Sequence, residues 1–213
     1  MPKNMKIIDL TCKIIKGIPG KNVSVCSIKK IKMPEKDYQG LIYDFYLSSM
    51  SGTYIDLPGH IKEFDNGLDA SNYPLEKLFM VDTTVIRLHR QGLGREIRAE
   101  ELEKTGISVK NQGLLINSGW DLGAGKPTQE IPFYGRDAIE WIVSKGINLF
   151  ISDVYENHSD PRGIFVEFFK AGIACVCIPA NLEKLSKSKI KVCAIPIRIP
   201  GAVQVPCRLL AIE

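Results

Sequence analysis

The 213-residue sequence is poor in histidine, with only His60, His89 and His158, and it lacks most of the signals that assign a function outright. No Gly-x-Ser-x-Gly elbow marks a serine nucleophile, and neither Ser51 nor Ser118 is followed by a series of base and acid. Glycine-rich phosphate loops, internal repeats and low-complexity tracts are absent. Excess charge of one sign is also missing: 28 Lys and Arg against 24 Asp and Glu leave a formal net charge of +4, spread along the chain. That balance argues against a nucleic-acid or membrane partner, neither of which is expected. The densest basic run, 184–191, interleaves Leu, Ser and Ile instead of aromatics and reads as a solvated loop. No run reaches the ~20 apolar residues that span a bilayer. Met1 to Leu10 holds no apolar core of signal-peptide type. A cytoplasmic protein is the expectation.

What is present suits one large core. At 45% hydrophobic content, a chain of 213 residues accommodates a single domain over 1–213 more readily than two. Its six cysteines (Cys12, Cys26, Cys175, Cys177, Cys193, Cys207) sit mostly in apolar, strand-like surroundings and read as reduced core thiols. Cys175 and Cys177 are expected on opposite faces of one strand, unable to chelate from one side. Alternating β-branched and aromatic residues predict strands at Lys6–Ile15, Val23–Ile31, Leu41–Ser48, Thr83–Leu88, Ile147–Val154, Ile173–Ile178, Lys191–Ile199 and Cys207–Ile212. Leu114 and the residues after it predict another strand, running into a loop. Helices are predicted at Ala99–Thr105, Gly135–Lys145 and Ile164–Ala171; in the second, Ala138, Ile139, Ile142 and Val143 form one apolar stripe. Many strands and few helices imply an α/β fold with a barrel-like mixed sheet.

The densest chemistry lies in Ser51-Gly-Thr-Tyr-Ile-Asp-Leu-Pro-Gly-His60, where Asp56 and His60 stand four positions apart. This segment resembles the H-x-G-T-H-x-D-x-P-x-H signature of the cyclase and kynurenine formamidase (arylformamidase-like) family of metal-dependent hydrolases. Gly52, Thr53, Asp56, Pro58 and His60 match; Met50 and Tyr54 stand where the family has two metal-binding histidines. The resemblance continues through Asp9-Leu10-Thr11, through Leu114-Leu-Ile-Asn-Ser-Gly-Trp-Asp121, through the helix and strand of 137–153, and through Pro206-Cys-Arg-Leu-Leu-Ala-Ile212. It implies the swivelling β/β/α barrel-like fold, a homodimer or homotetramer, and hydrolysis of an amide or formamide with zinc or manganese. Such an ion lowers the pKa of bound water from ~15.7 to ~7 and needs about three good ligands.

Those ligands are largely replaced. In the same register, Phe165 stands at a downstream family histidine and Cys177 at a glutamate, so the family's positions read Met50, Tyr54, Asp56, Phe165 and Cys177. Thioether, phenol, phenyl and thiol are poor partners for such an ion. No metal or other cofactor is therefore expected. His60 matches the family's acid/base histidine, with a structural hydrogen-bonding role as its alternative; Asp56 and Tyr54 are its candidate partners. A Tyr54 hydroxyl donating to Asp56 is expected, with Lys62 or Arg208 as possible counter-charges. Trp120, Asp121 and Phe165 are candidate substrate contacts, each with a core role as alternative. Asp153, Glu156, His158 and Asp160 form a second acidic and histidine cluster, either a relocated ion site or a plain polar loop. His89 reads as surface. Three functions remain open: a small-molecule-binding or weakly active homologue without the metal site, a hydrolase or lyase on a small amide, formamide or lactone-like carbonyl compound using His60 and Asp56, and an enzyme with a displaced metal.

Overall fold

Alternation of inward and outward side chains shapes the whole sheet. In the computed structural model, which describes residues 5–14, 23–32, 39–90, 94–110, 112–120, 131–155 and 163–213, twelve strands and three α-helices are seen. They run β1 (Ile7–Asp9), β2 (Val23–Lys32), β3 (Gln39–Leu47), β4 (Tyr54–Asp56), β5 (Val81–Arg87), β6 (Glu96–Ile97), α1 (Ala99–Lys104), β7 (Gly113–Asn117), β8 (Phe133–Tyr134), α2 (Arg136–Ser144), β9 (Leu149–Ser152), α3 (Gly163–Lys170), β10 (Ala174–Cys177), β11 (Lys189–Pro196) and β12 (Gln204–Ile212).

The main sheet has the order β1-β12-β11-β5-β7-β9-β10-β4, and β4 pairs back onto β12, so seven of its strands close into a mixed barrel. Strands β5, β7, β9 and β10 are parallel neighbours, and the remaining pairings are antiparallel. Its interior is filled by Ile55, Val85, Leu115, Leu149, Ile151, Val176, Val192, Val205 and Leu209, all at or below 3% exposure. A second apolar cluster joins the outer face of the parallel strands to the helices: Leu114, Ile116, Phe150 and Cys175 meet Leu102, Ala138, Ile142, Ile164, Phe168 and Phe169. The fold is thus the α/β barrel-like mixed sheet that the strand-rich sequence implies.

Several local expectations shift. The first strand is three residues long, extended only by a bridge from Thr11 to Pro179, and not the full Lys6–Ile15 stretch. Three residues of the basic run 184–191, Lys189 to Lys191, are not loop but lie on β11, where Lys191 Nζ donates to Asp82 at 2.7 Å. Cys175 and Cys177 share one face of β10 and do not point apart, since side chains alternate with a period of two. Among the described residues Cys12, Cys175, Cys177, Cys193 and Cys207 are free thiols, all buried except the half-buried Cys12. Among the described residues β2 and β3 pair only with each other and form a separate ribbon.

β4 has three residues and yet carries both ends of the barrel: Ile55 pairs with Val176 on one side and Val205 on the other. Its side chain is wholly buried in the interior cluster. Ile55→Ala should therefore cost ~2–5 kcal/mol by leaving a cavity at the seam; urea denaturation monitored by circular dichroism measures the loss.

Candidate functional site

The signature segment is built by backbone demands before any chemistry. Gly52 has φ +66°, and a Cβ there would stand 2.8 Å from Ile14 Cγ1 and 2.9 Å from the Cys12 carbonyl, so only glycine fits. Thr53 is buried and works as a staple: its hydroxyl donates to the Ile178 carbonyl at 2.6 Å and accepts from the Cys12 amide at 2.7 Å. Ile178 itself has φ +55°, a strained setting for a β-branched residue, directly after Cys177. The chain then enters β4, whose alternation sends Ile55 inward and leaves Tyr54 and Asp56 on the outer side, opposite Cys177 and Cys175.

Asp56 is 1% exposed. The Cys177 thiol donates to its Oδ2 at 3.7 Å, and Nδ1 of His60 lies 3.9 Å from its Oδ1. Burial, with Asp56 and Cys175 beside it, pushes the Cys177 thiol well above its usual range, so Cys177 is a proton donor and not a thiolate. The Tyr54 hydroxyl bonds to the Cys177 thiol, which itself reaches Asp56. Arg208 is spent elsewhere, on Asp9 at 2.7 Å. His60 ends a short 3-10 turn, Pro58–His60, and keeps 42% of its side chain exposed, with the edge of its ring against Phe169 at 6.3 Å between centroids.

Aromatic rings from α3 cover the remainder. Phe165 packs on Phe169 at 5.4 Å and stacks on Tyr155 at 5.9 Å, and burial, with Cys177 nearby, pushes the Tyr155 phenol well above its usual range. Phe165 therefore belongs to the wall, one ring removed from His60, with Phe169 as the direct neighbour. Met50 is different: it is 48% exposed in the turn after β3. Of the five positions read from the sequence as former ligands, Tyr54, Asp56 and Cys177 converge directly. Cys175 and Tyr155 also belong to this cluster and carried no chemical signal in the sequence; only the strand period would have exposed Cys175. Among the described residues no group of three or more His, Cys, Asp or Glu side chains is disposed to hold a metal ion.

Asp153 occupies a second buried position, 5% exposed just after β9. Its carboxylate accepts the amides of Ser118 (3.0 Å) and Trp120 (3.0 Å), fixing the turn that follows β7. Burial raises its pKa against those hydrogen bonds. Trp120 is half-buried against the outer cluster, consistent with its core alternative. Asp121, Glu156, His158 and Asp160 lie outside the described residues, and His89 is exposed. Two surface cavities, of about 490 Å³ and about 260 Å³, contain neither Asp56 nor His60.

Comparison with known proteins agrees with the fold. Residues 8–157 match the family model Cyclase, described as "Putative cyclase". No curated protein sequence matches the chain at a significant level. Isatin hydrolase A from Labrenzia aggregata superposes with a TM-score of 0.77 at 20% identity over 98% of this chain and 93% of its own. Isatin hydrolase A from Ralstonia solanacearum gives 0.75 at 18% identity, covering 98% and 92% of the two chains. A "predicted metal-dependent hydrolase" from Bacillus stearothermophilus gives 0.74 at 18% identity over 98% of each chain. At these identities the likeness concerns the fold.

A carboxyl whose folded pKa is raised destabilises the folded state while ionised, and the penalty fades as pH falls from the folded pKa toward the ordinary value of 3.8. Wild type should thus gain stability relative to Asp153→Asn as pH is lowered through that window. Urea denaturation at stepped pH, comparing the two proteins, reads the difference directly.

Proposed function

The chain belongs to the cyclase family, and on that premise we propose that it has lost most of the family's metal ligands and acts as a small-molecule-binding or weakly active homologue without the metal-dependent hydrolase site. The observation that carries this reading is the surroundings of Asp56: a protonated Cys177 thiol on one oxygen, with Tyr54, Tyr155 and Phe169 around the pair. A divalent zinc or manganese ion needs about three imidazole, carboxylate or thiolate ligands converging on one point, and among the described residues no three His, Cys, Asp or Glu side chains do so. A phenyl ring, such as the one Phe169 sets against His60, offers no lone pair.

A second reading keeps catalysis in reduced form. His60 is the one exposed member of the cluster, and 3.9 Å from Nδ1 to the Asp56 carboxylate is a distance that tightens into a hydrogen bond with a small side-chain adjustment. In this reading His60 removes a proton, Asp56 steadies the imidazolium, and the partner is a small amide, formamide or lactone-like carbonyl compound. General acid/base help alone supplies only ~10²–10⁴-fold, which suits an activated carbonyl better than an unactivated amide.

The chain is further proposed to self-associate as a homodimer or homotetramer. Supporting this, Leu41, Tyr43, Phe45 and Tyr46 on β3 are each 45–64% exposed, more apolar surface than one ribbon keeps in water without a partner. Light scattering on the purified protein should return at least twice the 23.7 kDa chain mass.

Metal analysis after purification without chelator should find well under one zinc or manganese per chain; about one tightly held ion would overturn the proposal. N-formylkynurenine, isatin and simple lactones should be turned over at background rates by wild type and His60→Ala alike. A rate that falls at least ~100-fold in His60→Ala would instead establish the second reading.

A further inference from the structure

A cavity of about 490 Å³ opens where β5 ends against the last turn of α1. It shares no residue with the Asp56 and His60 cluster. Leu88 and Ile107 supply its apolar lining, and Arg87 and Lys104 its cationic side chains, with His89 beside them. Of the acids nearby, Glu101 is held by the Arg90 guanidinium in an ion pair of which only 7% and 21% of the two side chains are exposed, and Glu100 pairs with Lys104 at 2.6 Å. The charge presented to an entering molecule is therefore positive chiefly through Arg87, whose described bond is to a backbone carbonyl.

Position reinforces composition. Arg87 is the last residue of β5 and stands in register with Asn117, the last of β7, so the cavity lies outside the carboxyl ends of parallel strands. Crevices at that place in α/β sheets are where ligands dock. A volume of 490 Å³ falls within the range of small-molecule sites and exceeds what an inorganic ion fills. The apolar floor would be left wet by such an ion, whereas an organic body would cover it.

We infer that this cavity is a binding site for a small organic anion, an aromatic or alkyl monocarboxylate whose apolar body lies on Leu88 and Ile107 and whose carboxylate faces Arg87 and Lys104. Its basic groups are partly exposed, so their role is to select the charged form over a neutral isostere, not to bind tightly.

The probe is 2-naphthoate, titrated into the full chain and followed by amide chemical shifts. Saturable shifts are expected at Leu88, His89, Thr105 and Ile107. The dissociation constant should rise about tenfold for 2-naphthamide, which has the same body without the charge, and similarly for the Arg87→Gln/Lys104→Gln double variant. Because Arg87 also donates to the Lys187 carbonyl at 2.9 Å, Lys104→Glu alone serves as the single variant, at an exposed position where it gives up only the surface ion pair with Glu100. His60→Ala should bind the probe like wild type, whatever becomes of the reading built on Asp56. Absence of shifts at these amides, equal affinity for the amide, unchanged affinity in Lys104→Glu, or loss of binding in His60→Ala would each overturn the inference.

Discussion

Barrel closure through three residues is the constraint on which everything else depends. β4 must pair with β10 on one edge and β12 on the other, so neither its register nor its facing can slip. A shift of one residue would put the Asp56 carboxylate into the interior and Ile55 outside. Pinning comes from Gly52 and Thr53, the first admitting the Cys12 backbone at close range and the second tying Cys12 to Ile178. Two residues of the signature are therefore accounted for by architecture, whatever happened to the chemistry beside them.

The same seam determines what surrounds Asp56. Asp56, Tyr54, Cys175 and Cys177 share a face covered by α3, and that helix brings Phe165, Phe168 and Phe169 from the apolar side of its own periodicity. When apolar groups occupy such a space, the cluster merges with the outer core that already joins helices to sheet. A carboxylate kept there needs hydrogen-bond donors, and the Cys177 thiol supplies one.

Much of this was legible before any coordinates. Alternation locates nearly every barrel strand, and the helices expected at Ala99–Thr105 and Gly135–Lys145 end just before Gly106 and Gly146, both with positive φ. Partners were not legible, since the sequence carries no direct record of which strand lies beside which. Hence the bond of the Tyr54 hydroxyl to Cys177, across the seam between β4 and β10, has no signal in the sequence. Asp153 reads in the sequence as one of an acidic and histidine cluster, because its role, gripping two amides on a turn 33–35 residues away, involves only backbone donors that leave no trace in side-chain identity. Cys175 and Cys177, two apart on β10, share a face as the strand period of two requires, against the expectation of opposite faces.

Rolling a sheet shut also determines where the folded protein is vulnerable. The barrel strands present no free row of amides for another chain to template upon, whereas the β2 and β3 ribbon, among the described residues, is bonded along one side of each strand only. Edge-to-edge recruitment of further copies, ordered or not, is thereby concentrated on that ribbon.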